Sequence, residues 1–210
     1  MPRPGRTLAV AVYRPLAEQL AGVAAPLAGD RVLELSAGDD QLTRCLRTAV
    51  GATGGVDVVE EPWHFTQPDN TFALAVSLLA IDAQDVLHAV LPQLSVVARR
   101  VVVATSGGGA TYDNALATAW RAVVGEEPAA LPQTDPVVAP AGWRQRRLSD
   151  VARFDGIDQL FTALTGERDI EVPREHRASL RERLGGELAS FTYADGTMRI
   201  PVHVTLVERG

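Results

Sequence analysis

Residues 34–40 read Glu-Leu-Ser-Ala-Gly-Asp-Asp, and their types and spacing are those of a ligand-binding turn. They close a continuous apolar run of strand length, Arg31–Leu35. They precede Gln41–Val50, in which Leu42, Cys45, Leu46 and Val50 fall on one side of a helix. A strand, a tight turn and a helix N-terminus together make a common nucleotide site, because free backbone N–H groups and the helix dipole meet there. Small residues such as Ser36 and Gly38 let a ligand approach the backbone. Asp39 and Asp40 add two negative charges at the same mouth, which is unusual for an anion-cradling turn.

Other chemistry is thinly represented. His64, His88 and His176 are candidate general bases, and Tyr13 and Tyr112 are candidate substrate contacts. A lone histidine is more often structural, and no HxH or HExxH spacing suggests a metal site. Cys45 is the single cysteine, so no internal disulfide forms, and its helical position suits core packing. All twenty basic residues are arginine. The chain therefore lacks both a Schiff-base lysine and a P-loop lysine, which excludes pyridoxal phosphate and Walker-type nucleotide chemistry.

The elements that must position these residues alternate. Helical spacing runs through residues 13–27, 41–50, 82–94, 111–125, 155–166 and 173–191. Strand-like runs occupy 31–35, 54–59, 71–79 and 99–105, with a further strand over 143–154 and a clear alternation over 197–209. This order predicts an α/β fold: a Rossmann-like, mostly parallel sheet with helices on both faces and an antiparallel edge strand at the C-terminal end. Ligands of such sheets sit beyond the carboxyl ends of the strands, which is where residues 34–40 fall. A 210-residue chain with 46% hydrophobic residues suits a single domain, 1–210, with its own core. A net charge of −6 argues against nucleic acid and against an anionic membrane, since both need a basic face. Arg144–Arg147 is the only basic cluster, and it reads as a solvated strand end or loop. With no signal-like N-terminus and no apolar run of about 18 residues, a cytoplasmic protein is expected.

Taken in order, PLAGDRVLELSAGD, a helix, PDNTFALAVSLLAIDAQDVLHAVLPQLSVVARRVVVATSG and ADGTMRIPVHVTLVER resemble the class I methyltransferases that use S-adenosylmethionine (SAM) on small molecules. The resemblance spans nearly the whole chain and rests on segment order. It implies a SAM turn of the form [DE]-x-G-x-G-x-G, with Glu34 as the acid and Ser36, Gly38 and Asp40 at the glycine places. It also implies an acid at the end of the second strand that accepts hydrogen bonds from the ribose. Asp57, about twenty residues after the turn, takes that role, with Glu60 and Glu61 as alternatives. Residues 143–192 fall where the family inserts helices over the acceptor pocket. Phe154, Leu160, Phe161 and Leu164 in this insertion read mainly as packing.

Three departures distinguish the chain from that pattern. Asp40 replaces a glycine. Only about a dozen residues separate Asp57 from the next strand, too few for a further helix and strand, because a crossover alone takes at least about 10–12. The wall behind the adenine is therefore shortened, with Trp63 or Phe65 filling the gap. Third, residues 94–103 lack the usual glycine. The expectation is a methyltransferase-like protein with a diverged SAM site, acting on or around a small organic molecule, as in specialised metabolism. The alternative is a cofactor-free pseudo-methyltransferase that serves as a partner subunit of an active enzyme, forms a homodimer, or binds a ligand without methylating it. A dinucleotide oxidoreductase fits less well, since its three-glycine turn is also absent.

Overall fold

β-Branched and aliphatic runs become strands here because helices bury them from both sides. In the computed structural model, residues 9–36, 40–60, 65, 68–81, 84–105, 111–125, 137–167 and 170–210 are described. The helices are α1 (Arg14–Ala24), α2 (Gln41–Val50), α3 (Gln84–Val97), α4 (Thr111–Val123), α5 (Ile157–Glu167) and α6 (Arg177–Glu187). The strands are β1 (Arg31–Ser36), β2 (Gly55–Glu60), β3 (Phe72–Leu78), β4 (Ala98–Thr105), β5 (Arg144–Phe154) and β6 (Met198–Arg209). A π-helical turn at Ala9–Tyr13 leads into α1, and a 3₁₀ turn at Ala189–Phe191 follows α6.

The chain divides into two compact units. The first, a sheet unit, comprises Arg14–Gly107, Pro136–Ser149 and His203–Gly210. The second, a helical unit, comprises Met1–Tyr13, Gly108–Asp135 and Asp150–Val202. The six strands follow the order β2-β1-β3-β4-β6-β5. β1 pairs in parallel with β2 and β3, and β3 with β4; β6 is antiparallel to β4. The antiparallel addition thus brings two strands, with β5 beyond β6. Two cross-strand pairs, Arg146 with Glu208 and Ser149 with His203, run in opposite senses along β5 and β6.

One face of the parallel sheet, with Leu33, Leu35, Ala75, Val101 and Val103, packs against Leu87, Leu91, Leu94 and Val97 of α3, and Phe72 at the start of β3 joins the same cluster. The other face meets α1 and α2, whose Leu16, Leu20, Leu42, Leu46 and Val50 are buried. Each such side chain contributes about 1.5–3 kcal/mol on burial. α2 stops at Gly51, whose φ of +68° is open to glycine and costly for other residues. Cys45 lies half-buried beside the α2 core stripe. Burial raises its thiol pKa first, and the negative charge of Glu18 adds to that shift.

In the helical unit, α6 packs against both α4 and α5. Phe154, Leu160, Phe161 and Leu164 are all buried, as is Trp120 of α4, so the apolar stripe of α5 serves packing. No helix among the described residues is long and apolar enough to cross a membrane.

A candidate cofactor site at the carboxyl ends of the strands

Side chains alternate along β1, so Leu33 and Leu35 face α3 while Glu34 and Ser36 face the α1–α2 layer. Glu34 is 1% exposed and Ser36 8% exposed, both at the carboxyl end of β1. A buried carboxylate is costly unless the site uses it, and its charge reaches Cys45 on α2. The strands alongside end in the same way. Ser77, opposite Leu35, lies near the end of β3, and Thr105 is the last residue of β4. Both are buried, and neither Ser77 Oγ nor Thr105 Oγ1 has a hydrogen-bond partner among the described residues. A buried, unmet hydroxyl costs about 1–3 kcal/mol, a cost that native folds usually avoid. The carboxyl end of the sheet, where α/β ligands bind, therefore carries buried polar side chains on both faces, Glu34 and Ser36 towards α1–α2 and Ser77 and Thr105 towards α3. Leu79, one residue past β3, adopts a φ of +55°, a conformation that non-glycine residues adopt mainly where the surroundings enforce it.

Asp40 is the cap residue of α2, but its side chain makes no capping bond. Its carboxylate instead pairs with Arg44 one turn along the helix, on the surface. The charge expected to crowd the turn is thus drawn outward and offset by Arg44. Gly38 lies outside the described residues, as do Glu61, Trp63 and His64.

Register separates the two acids of β2. Asp57 sits opposite Leu33, and its carboxylate is 2.6 Å from Arg31 Nη2, at the amino end of β1. Arg31 also lies over the Phe72 ring, 5.0 Å from its centroid, at the start of β3. Glu60 is the residue that stands opposite Ser36, at the ligand end, and it is exposed. β2 is the outermost strand on that side, and no strand lies between β2 and β3 in sequence among the described residues.

The histidines are dispersed. His88 is exposed on α3 and lies 3.2 Å from the Val138 carbonyl, a group that also accepts from Gln84 Nε2. His176 caps α6 through its backbone, its carbonyl accepting from Leu180 N–H. His203, absent from the sequence candidates, is hydrogen-bonded through Nδ1 to Ser149 Oγ at 2.8 Å. Burial lowers its pKa first, and the charge of Arg147 adds to the shift. It lines a cavity of about 510 Å³ with Arg146, Arg147 and Thr205. Only strand pairing could have shown this, since Arg147 and His203 are distant in sequence. No His, Cys, Asp and Glu group suited to a metal ion occurs among the described residues.

This sheet order, with its antiparallel β6, is the methyltransferase-like α/β fold of several solved structures. A cyclopropane-fatty-acyl-phospholipid synthase-like protein from Lactobacillus casei superposes with a TM-score of 0.54 at 14% identity, covering 94% of this chain and 91% of its own. The YcgJ protein from Bacillus subtilis gives 0.53 at 11%, covering 93% and 98%. A putative methyltransferase from Bacillus halodurans gives 0.50 at 10%, covering 91% and 96%. No family model and no curated protein matches the sequence. At these identities the likeness is one of fold.

Proposed function

We propose that this chain is a methyltransferase-like protein with a diverged SAM site, acting on or around a small organic molecule. The observation that carries the reading is the carboxyl end of β1, where buried Glu34 and Ser36 run into the start of α2. The methionine end of SAM fits this place. Ser36 is small, α2 presents its N-terminus, and Arg44 holds the Asp40 carboxylate. Glu60, facing Ser36 across the strand pair, is better placed than Asp57 to accept from the ribose hydroxyls, because Arg31 already holds Asp57 at the other end. SAM, when bound, supplies an electrophilic methyl group on its sulfonium. The chain's share of the work is to hold the cofactor and to place an acceptor in line with that methyl group. Residues 143–192 are the segment to which we assign acceptor choice.

One observation favours the second reading, a pseudo-methyltransferase acting as a partner subunit or ligand-binding protein. The adenine side of the site has β2 as its outer strand, with no further strand among the described residues to wall it in. Calorimetric titration with S-adenosylhomocysteine separates the two. A dissociation constant in the micromolar range or tighter supports a remodelled but working SAM site. No heat at high ligand concentration, from protein shown to be folded, supports reuse of the fold without its cofactor.

A further inference from the structure

The helical unit contains a cavity of its own. It lies in the groove between α5 and α6, holds about 430 Å³, and is lined by Asp158, Phe161, Thr162, Arg174, Arg177 and Arg181. Arg177 and Arg181 stand one turn apart on α6, and Arg174, in the turn that precedes the helix, lines the same cavity. Only one is neutralised. Arg181 Nη1 lies 2.8 Å from Asp158 Oδ1. Arg177 lies over the buried Phe161 ring, 5.8 Å from its centroid, and neither it nor Arg174 has a carboxylate partner among the described residues.

The groove arginines are exposed, but their pairing differs from that of their neighbour on the same helix. On the outer side of the same helix, Arg183 pairs with Glu187 one turn away, which is how exposed arginines usually settle. In the groove, two guanidinium groups stand in one concavity without counter-charge, in a protein whose net charge is −6. Like charges that share one concavity repel, and an anion relieves that repulsion. The contact with Phe161 orients the Arg177 fork, so less side-chain freedom is lost when it binds. Guanidinium forks match the paired oxygens of phosphate and carboxylate groups. A cavity of this volume exceeds what a bare inorganic ion fills and lies in the range of small-molecule sites.

We infer that the α5–α6 groove is a binding site for a small organic anion. Its phosphate or carboxylate head is held by Arg174 and Arg177, and Arg181 is restrained by Asp158. The inference does not depend on SAM binding at the sheet.

The test is calorimetric titration of the full chain at low salt with phenyl phosphate and with benzoate, and with benzyl alcohol as the uncharged probe. Saturable binding of at least one anion in the submillimolar range is expected, with none for the alcohol. The stronger of the two anions identifies the head group. The Arg174→Gln/Arg177→Gln double variant should weaken binding about tenfold or more, the loss expected for removing charge-assisted hydrogen bonds. Arg183→Gln should leave it unchanged. All three arginines are exposed, so circular dichroism should show both variants folded. No saturable heat from the wild type, equal affinity in the double variant, or an equal loss in Arg183→Gln would overturn the assignment.

Discussion

β1 and β2 lie side by side in register, from Arg31 opposite Gly55 to Ser36 opposite Glu60, yet their surroundings differ completely. Every β1 residue after Arg31 is buried, whereas no residue of β2 is. β1 has a strand on each side and helices over both faces. β2 has a neighbour on one side only, and Val58 is 40% exposed. The two strands carry the two halves of the proposed cofactor site. The half on β1, Glu34 and Ser36, is part of the core, so changing it risks the fold. The half on β2 is surface and can change at little cost in stability. A site that loses its cofactor by drift should therefore lose it first on the β2 side, the edge of the sheet among the described residues.

The largest test of this contrast is stability. Leu33→Ala on β1 should cost about 2–5 kcal/mol by urea unfolding, the usual price of a large core cavity. Val58→Ala on β2 should cost less than about 1 kcal/mol. Similar losses at the two positions would abolish the distinction between a core half and a surface half. The next effect sits where the strands are joined. A Cβ on Gly54 would lie 2.6 Å from Val50 Cβ and 2.7 Å from the Asp30 carbonyl oxygen. Gly54→Ala should therefore cost about 1–3 kcal/mol through overpacking, because backbone cannot yield cheaply. An unchanged melting temperature would show that β2 moves freely against α2.

Ligand binding sharpens the comparison further. If S-adenosylhomocysteine binds, Glu60→Gln should weaken it several-fold in calorimetry, and Asp57→Asn should not. Asp57→Asn should cost no more than about 1 kcal/mol of stability, the ordinary value of an exposed ion pair. The reverse ranking would return the ribose role to Asp57. Asp40→Gly alone should not produce micromolar binding, because the short 58–70 segment remains; micromolar binding by that variant would refute a limit on the β2 side.

The smallest effect concerns His203. Its folded pKa lies below the ordinary histidine value, so protons bind the unfolded chain more readily. Its contribution is complete above the unfolded pKa and declines as pH falls through that value towards the folded one. His203→Gln should slightly reduce the drop in melting temperature between neutral pH and about pH 5. An unchanged drop would remove His203 as its source.

Much of this molecule was legible before folding was considered. The apolar run before Glu34, the helical spacing of 41–50 and the alternation of 197–209 each named an element within a residue or two, since each obeys a local period. The interval after Asp57 is too short for a further helix and strand, and β2 is the outermost strand on its side among the described residues. Other features were not legible. The 13–27 helix ends at Ala24 because Ala25 takes a φ of +43°, which no periodicity announces. Ser77 and Thr105 looked like ordinary strand residues, and only the alignment of strand ends put them at the same end of the sheet as Glu34, on its other face.

By itself, then, the sequence determined most of the elements and their order. These depend on local propensity and on the periods of 2 and 3.6 residues that side chains follow. Tertiary structure alone decided that Arg31 claims Asp57 and leaves Glu60 opposite Ser36, because register is a relation between strands. It alone brought 158–162 against 174–181 to make an arginine-lined groove, because helix packing joins residues that no local pattern connects.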